Sequence, residues 1–357
     1  MQKLKIKIRK QIDKIDREIL KLLNKRAELA IKIGKLKQET GEEVYIPNRE
    51  KEILLNLLKE NKGPLPKESL QNIFSEILHA GRTLQSKLKI AYLGPEATFT
   101  HLAAVKNFGR YCEYVPLKTI KDVFQEVEKG RVDYGVVPIE NSTEGVVNHT
   151  LDMFMESDLL ICSELNLPIE LCLLSKFSDI KKIKRLYSHP QALGQCRNWI
   201  EANLSEVEVV ETTSTSKAAE LAKKSNVPSA AIASSIAGEI YGLNIIAKGI
   251  EDISENYTRF LVIGKQSSER SGHDKTSIMF SIKDRVGALH DILVPFKKLN
   301  INLTKIESRP TRKKAWEYVF FLDFLGHIKD KKIKKALSEV SNQCVFLKVL
   351  GSYPRAE

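Results

Sequence analysis

The sequence predicts three successive domains: an all-helical head, a two-lobed α/β middle and a small α+β tail. Three observations predict it. Apolar residues recur at spacings of three and four through the first 38 positions. Short β-branched runs then alternate with helical patterns as far as about residue 265. After a polar stretch, the remaining pattern is strand, helix, strand, strand, helix, strand.

At 357 residues the chain is long enough for two or three domains. It has no run of eighteen apolar residues and no signal-peptide core, so a cytoplasmic protein off the membrane is expected. Five scattered cysteines form no Cys-x-x-Cys and are expected as free thiols. There is no His-Glu-x-x-His, no Gly-rich phosphate loop and no dinucleotide fingerprint. The expectation is chemistry without metal or cofactor. The net charge is +12, and residues 1–87 hold 20 Lys and Arg against 12 Asp and Glu. A basic head suits nucleic acid, a solvated helical face or a site for small dianions.

The head begins with one long helix, Leu4 to about Gln38. Ile8, Ile12, Ile15, Ile19, Leu22, Leu29, Ile33 and Leu36 form its stripe. About 35 residues span roughly 52 Å. A compact domain of this size is roughly 30 Å across, so the helix overshoots it and is expected to pair with a second copy. Arg26 interrupts the stripe, where a cation needs an anion, either an internal carboxylate or a ligand. Arg9 and Lys37 flank the same stripe. Gly41 and Pro47 break the helix. A second helix from about Asn48 carries Arg49 and Glu50, and a third, Lys67 to Lys87, carries Gln85 near its end.

These residues resemble the all-helical chorismate mutase family over nearly all of 1–87. The resemblance implies that Arg26, with Arg9 of a partner chain, holds two substrate carboxylates. It implies Lys37 and Gln85 as donors to the ether oxygen, Glu50 at the ring hydroxyl and Arg49 lining the pocket. A pericyclic rearrangement needs no nucleophile. Holding a dianion compact and placing donors where charge grows is enough. Two departures stand out: Gly81 replaces a serine common in the family, and Ile46 replaces an acid found in some members.

Residues 88–265 form the α/β middle, and a break near Pro168 suggests two lobes and a cleft. Strands are expected at Ile90–Leu93, Tyr134–Ile139, Leu171–Leu174, Arg185–Ser188, Glu208–Val210, Ala230–Ala233 and Phe260–Ile263. Polar clusters sit at four strand ends: Gly94 to His101, Glu140-Asn141-Ser142, Ser188-His189-Pro190-Gln191 with Gln195, and Thr258-Arg259. Together they resemble prephenate dehydratase, whose fold is that of two-lobed, periplasmic-binding-protein-like domains. The resemblance implies Thr258 as the essential hydroxyl. Asn141, Ser188, Gln195 and Arg259 would line the site, with Glu140 and Thr98 near it. Ala97 replaces a glycine common in the family, and only a local backbone change is expected from it. His189, followed by Pro190, reads as structural.

Residues 266–275 read as a polar linker. The tail, 276–357, has strands expected at Ser277–Ile282, Ile301–Ile306, Trp316–Phe324 and Val345–Leu350, with helices Gly287–Leu299 and Lys331–Val340. This is the ferredoxin-like order, and it resembles an ACT domain. Gly287-Ala288-Leu289 and Glu307-Ser308-Arg309-Pro310 carry the resemblance, which implies phenylalanine bound between paired tails. Gly287 opens a helix whose free N–H groups suit a carboxylate.

The three resemblances imply a bifunctional enzyme that takes chorismate to prephenate and prephenate to phenylpyruvate, with phenylalanine as inhibitor. It would be a homodimer or homotetramer and bind no nucleic acid. The rival from another class is a ligand-sensing transcription regulator with a basic helical head. Against it, residues 1–87 show no helix-turn-helix spacing. A further alternative is a dehydratase with an inert mutase.

Overall fold

The computed structural model describes residues 1–253, 255–310 and 318–356. They form two compact units, Met1–Leu88 with Phe108–Glu113, and Lys89–Asn107 with Tyr114 onward.

The first unit is built on α1 (Gln2–Thr40), α2 (Pro47–Glu60) and α3 (Lys67–Thr83). At 39 residues, α1 is about 58 Å long. Gly41 ends it in the left-handed conformation, φ 69°, with its amide bonded to the Lys37 carbonyl. Pro47 opens α2, where its missing N–H costs nothing. On α1 the stripe residues Ile8 to Leu29 are 46–65% exposed, and Gly34 is the one buried position. The apolar face therefore meets no other described element over most of its length. Near its end α1 closely approaches the turn after α3: a Cβ on Gly34 would lie 2.9 Å from Cα and Cβ of Gln85. The third helix stops at Thr83, earlier than the expected Lys87. Gln85 follows in a turn, its amide bonded to the Arg82 carbonyl at 2.9 Å.

The second unit begins with β1 (Lys89–Leu93), α4 (Phe99–Phe108), β2 (Glu113–Leu117), α5 (Ile120–Glu128), β3 (Tyr134–Asn141), β4 (Gly145–Val146), α6 (Asn148–Glu156) and β5 (Leu160–Pro168). The chain then crosses to β6 (Cys172–Ser175), β7 (Arg185–Ser188), α7 (Pro190–Gln195), α8 (Arg197–Asn203), β8 (Glu208–Glu211), α9 (Thr215–Lys224), β9 (Ser229–Ala233), α10 (Ser235–Tyr241) and β10 (Asn244–Lys248). It returns through β11 (Tyr257–Gly264). One sheet has the order β2-β1-β3-β11-β5 with β4 on β3; the other is β10-β6-β9-β7-β8. The two crossings, after Pro168 and before Tyr257, make two lobes, as the break near Pro168 suggests.

The tail is β12 (Asp274–Ser281), α11 (Ala288–Lys298), β13 (Leu303–Pro310), β14 (Tyr318–Leu325), α12 (Lys331–Ser341) and β15 (Phe346–Pro354), with sheet order β13-β14-β12-β15. Of the strand expected at Trp316–Phe324, Trp316 and Glu317 lie outside the described residues. One sheet face packs on α11 and α12 through Ile278, Phe280, Phe296, Leu322 and Ile333. The other face shares a core with the first lobe, where Met279, Val319, Phe321 and Tyr353 meet Val137, Ile139, Leu261 and Ile263.

The stretch 266–275, read as a polar linker, joins β11 to β12 and is mostly exposed but pinned at points. Ser268, Asp274 and Lys275 are buried. The Ser267 hydroxyl donates to the Ser352 carbonyl at 2.9 Å, and Ser268 to that of Cys162 at 2.5 Å. The polar residues that looked like linker composition are paired across the seam. At Gly351 an added Cβ would lie 2.3 Å from the Ile161 carbonyl oxygen, so only glycine lets β15 approach β5 so closely.

Candidate active sites

In the first unit a cavity of about 770 Å³ opens beside α1. Arg26, Lys37, Arg49, Glu50 and Gln85 line it, so five of the six residues predicted in the head converge. Arg9 does not line it. It lies seventeen residues before Arg26, roughly 26 Å along the same straight helix. Helical periodicity brings Arg26, Ile33 and Lys37 to one side of α1, while α2 and α3 supply the opposite wall. The Lys37 ammonium donates to the Val44 carbonyl at 3.2 Å. Burial lowers its pKa, against the pull of Glu42, Glu50 and Glu43. The Arg26 guanidinium donates to the Ile77 carbonyl at 3.3 Å. A Cβ on Gly81 would lie 2.9 Å from Arg26 Nη1, so this guanidinium fills the space next to the missing serine. Ile46, the other departure, lines the cavity as an apolar wall.

Sequence reasoning missed Arg82. It is 3% exposed, its guanidinium bonds both oxygens of Glu50 at 3.0 and 3.3 Å, and it lies over the Tyr45 ring at 4.9 Å. Burial pushes the Glu50 carboxyl up, with Arg82, Lys37 and Arg26 opposing it. Arg82 lies in the last turn of α3, three residues before Gln85.

In the second unit a cavity of about 350 Å³ lies between the lobes. Thr98, Asn141, Gln195 and Thr258 line it together, drawn from four separate stretches of chain. Thr258 pairs with Asn141 in the β11–β3 register. The Asn141 amide donates to the Thr258 hydroxyl at 2.8 Å and to Asn256 Oδ1 at 2.8 Å. Its own oxygen accepts from the Thr143 amide, the Thr143 hydroxyl and the Glu144 amide, at 2.7–3.1 Å. Those three bonds fix which way the Asn141 amide faces. Thr258 therefore accepts from Asn141 and keeps its own proton to donate.

Three expected residues lie elsewhere. Ser188 is fully buried, its hydroxyl bonded to the Ile232 carbonyl at 3.0 Å, because it closes an inner strand against β9. Arg259 and Glu140 form a register pair next to Thr258–Asn141 and project to the opposite face of the sheet. The Arg259 guanidinium meets Glu164 at 2.7 Å, Asp323 at 2.7 Å, Glu140 at 3.2 Å and the Tyr353 hydroxyl at 3.0 Å. It does not face the cavity, and strand alternation is the physical reason.

The cavity also gathers residues that were not predicted: Glu144, Asn256, Gln191 and the run Thr213-Ser214-Thr215. The Ser214 hydroxyl caps α9 by accepting from the Lys217 amide at 3.0 Å, and Thr98 caps α4. A Thr-Ser-Thr run before a helical pattern was a readable cap signal. Glu144 links the lobes through Gln191 and, at 3.3 Å, Gln195. His189 caps α7 with its ring, accepting from the Gln191 amide at 3.3 Å, which suits the structural reading. None of the described lining residues is Lys or Arg. Ala97 is buried with φ 67°, a left-handed backbone that glycine adopts more easily.

In the tail, Gly287 has φ 78° and precedes α11, which starts with Ala288 and Leu289. The run Glu307 to Pro310 ends the edge strand β13. Glu307 pairs with Phe321 and Arg309 with Val319, on the face toward the first lobe, whereas Ser308 pairs with Phe320 on the helix side.

The family descriptions chorismate mutase type II, prephenate dehydratase and ACT domain match residues 8–86, 90–268 and 276–342. The chain is 52% identical over 360 residues to the bifunctional chorismate mutase/prephenate dehydratase of Aquifex aeolicus, covering 100% of this chain and 99% of that one. The protein of the same description from Pseudomonas aeruginosa is 46% identical, covering 98% and 97%. A solved prephenate dehydratase from Arthrobacter aurescens in complex with L-Phe superposes with a TM-score of 0.69 at 33% identity, covering 75% of this chain and 90% of that one. With three matching domains in one order and full-length relatives of one description, the chain belongs to the bifunctional chorismate mutase/prephenate dehydratase family.

Proposed function

We propose that the helical cavity rearranges chorismate to prephenate and that the interlobe cavity converts prephenate to phenylpyruvate, each with the residues assigned below. In the first, Arg26 and the Arg9 on the α1 of a second copy hold the two substrate carboxylates, and Arg49 lines the pocket. The exposed stripe on α1 and the distance of Arg9 from Arg26 support that pairing. Lys37 and Gln85 donate to the ether oxygen as its bond to carbon breaks. Glu50, held by Arg82, meets the ring hydroxyl.

In the second cavity, prephenate gains one proton at its ring hydroxyl and loses water and carbon dioxide, and the ring becomes aromatic. Thr258 donates to the departing oxygen. The observation that carries this is the locked Asn141 amide, which leaves the Thr258 proton aimed away from Asn141. With no Lys or Arg in the described lining, carboxylates fall to hydroxyls, amides and the helix starts at Thr98 and Ser214. Phenylalanine binds at Gly287-Ala288-Leu289 and Glu307-Ser308-Arg309-Pro310 of paired tails and inhibits this step. Among the described residues no helix is long and apolar enough to cross a membrane.

The test is a separation of activities. Thr258→Ala is expected to lower phenylpyruvate formation by about a hundredfold or more while chorismate consumption continues. Lys37→Ala is expected to lower chorismate consumption by about 10²–10³ and leave added prephenate turnover intact. Either variant silencing both activities in a folded protein overturns the two-site assignment.

A further inference from the structure

We propose that Arg259 is a positioning residue for Thr258 and Asn141, and that through Lys305 and Asp323 it is the point where the tail domain acts on the dehydratase cavity. The inference rests on the reading of Thr258 as the donor. On β11 and β3 the pair Thr258–Asn141 faces the cavity, and the adjacent pair Arg259–Glu140 faces the tail. The register slips directly after Arg259, so that Phe260 pairs with Pro138 and Ile139 is left over. Such a bulge re-aims neighbouring side chains. It leaves the Thr258 pairing dependent on what holds Arg259 and Glu140 from behind.

Arg259 and Glu140 belong to a cluster of six charged groups. The first lobe supplies Arg259, Glu140 and Glu164; the tail supplies Asp323, Lys275 and Lys305. One guanidinium and two carboxylates thus meet one carboxylate and two ammoniums, so the two sides complement each other. Lys275 bonds Glu164 at 2.8 Å, and Ser277 donates to Asp323 at 2.6 Å. Lys305 bonds Glu140 directly. Lys305 lies on β13, two residues before Glu307 and on the same strand face. A movement of β13 therefore reaches Glu140, and Glu140 is the chain neighbour of Asn141. Merely gluing two sheets together would not require the charges to lie behind the donor pair.

Three variants test this in the full-length protein. Arg259→Met is expected to lower kcat for prephenate by about a hundredfold with KM changed less than about threefold, because the guanidinium does not touch substrate. Arg259→Lys should recover part of that loss. Lys305→Met is expected to keep phenylalanine binding by calorimetry but to need about tenfold more phenylalanine for half-inhibition. Chorismate consumption and the thermal melt report folding. Should Arg259→Met fail to fold, Glu140→Gln combined with Lys305→Gln removes one opposite pair and is expected to weaken inhibition equally. A raised KM with unchanged kcat in Arg259→Met overturns the positioning role. Unchanged half-inhibition in Lys305→Met, or in the folded double variant, overturns the coupling. A parent enzyme that phenylalanine does not inhibit would refute the effector assignment instead, and the kcat arm would still decide the role of Arg259.

Discussion

Ala97 shows how one residue's backbone can matter more than its side chain. It sits in the first loop of the cleft with φ 67°, its amide donating to His101 Nδ1 at 3.1 Å and its carbonyl accepting from Ser234 at 3.1 Å. Left-handed alanine costs about 1–2 kcal/mol. Glycine would remove that cost, but it loses about 0.5–1 kcal/mol to chain entropy and about 0.8 kcal/mol with the buried methyl. Ala97→Gly is therefore expected to melt within about 1 kcal/mol of the parent. Ala97→Val, β-branched at positive φ and fully buried, is expected to lose more than about 2 kcal/mol. Denaturant titration of both variants checks this. The sequence leads to an expectation of only a local backbone change at Ala97, and the structure shows a left-handed φ of 67° there.

Among elements, the contact between α1 and the turn after α3 sets the mutase cavity. Gly34 touches Gln85 so closely that a methyl must push the two apart. Gly34→Ala is expected to cost about 1–3 kcal/mol. It should also lower the mutase kcat by displacing Gln85, with dehydratase activity unchanged. Activity assays on one preparation measure both. Most elements were legible because their patterns repeat: the α1 stripe and the apolar runs of β1, β3, β6, β7, β9 and β11 were all readable. Those that escaped have a physical reason. In β5 the residues Ser163, Glu164 and Asn166 break the apolar run, and Glu164 is buried because it pairs with Arg259 and Lys275. Similarly, Glu140 and Arg259 were placed in the cleft because sequence proximity to Asn141 and Thr258 does not show which sheet face a residue takes. Arg82 was overlooked because a lone arginine near a helix end looks like surface.

On the scale of the whole molecule, the first lobe and the tail behave as one body because a common core and a charge cluster join them. Burial works against ionisation of Asp323, but Arg259, Ser277 and Lys275 outweigh it and hold the carboxyl below its ordinary value. Glu140 is likewise lowered: Lys305 and Arg259 overcome its burial. When the chain unfolds, both carboxyls return to their usual range. Their stabilisation is therefore complete above that range and is lost as pH falls through the folded values. Melts taken from pH 7 downward are expected to fall more steeply for the parent than for Asp323→Asn. At pH 7 that variant should already have lost about 3–5 kcal/mol, since Arg259 stays buried with a partner missing. A single cooperative transition for lobe and tail is expected throughout.

The long bare face of α1 has a consequence for how the enzyme would behave in a test tube. A catalyst that borrows Arg9 from another molecule obeys a second-order law in its own concentration, whereas one complete within a single chain does not. Serial dilution is thus expected to extinguish chorismate turnover per molecule first, while prephenate turnover per molecule stays level. Adding an inactive Arg26→Ala chain with its Arg9 intact should rescue part of the lost rate.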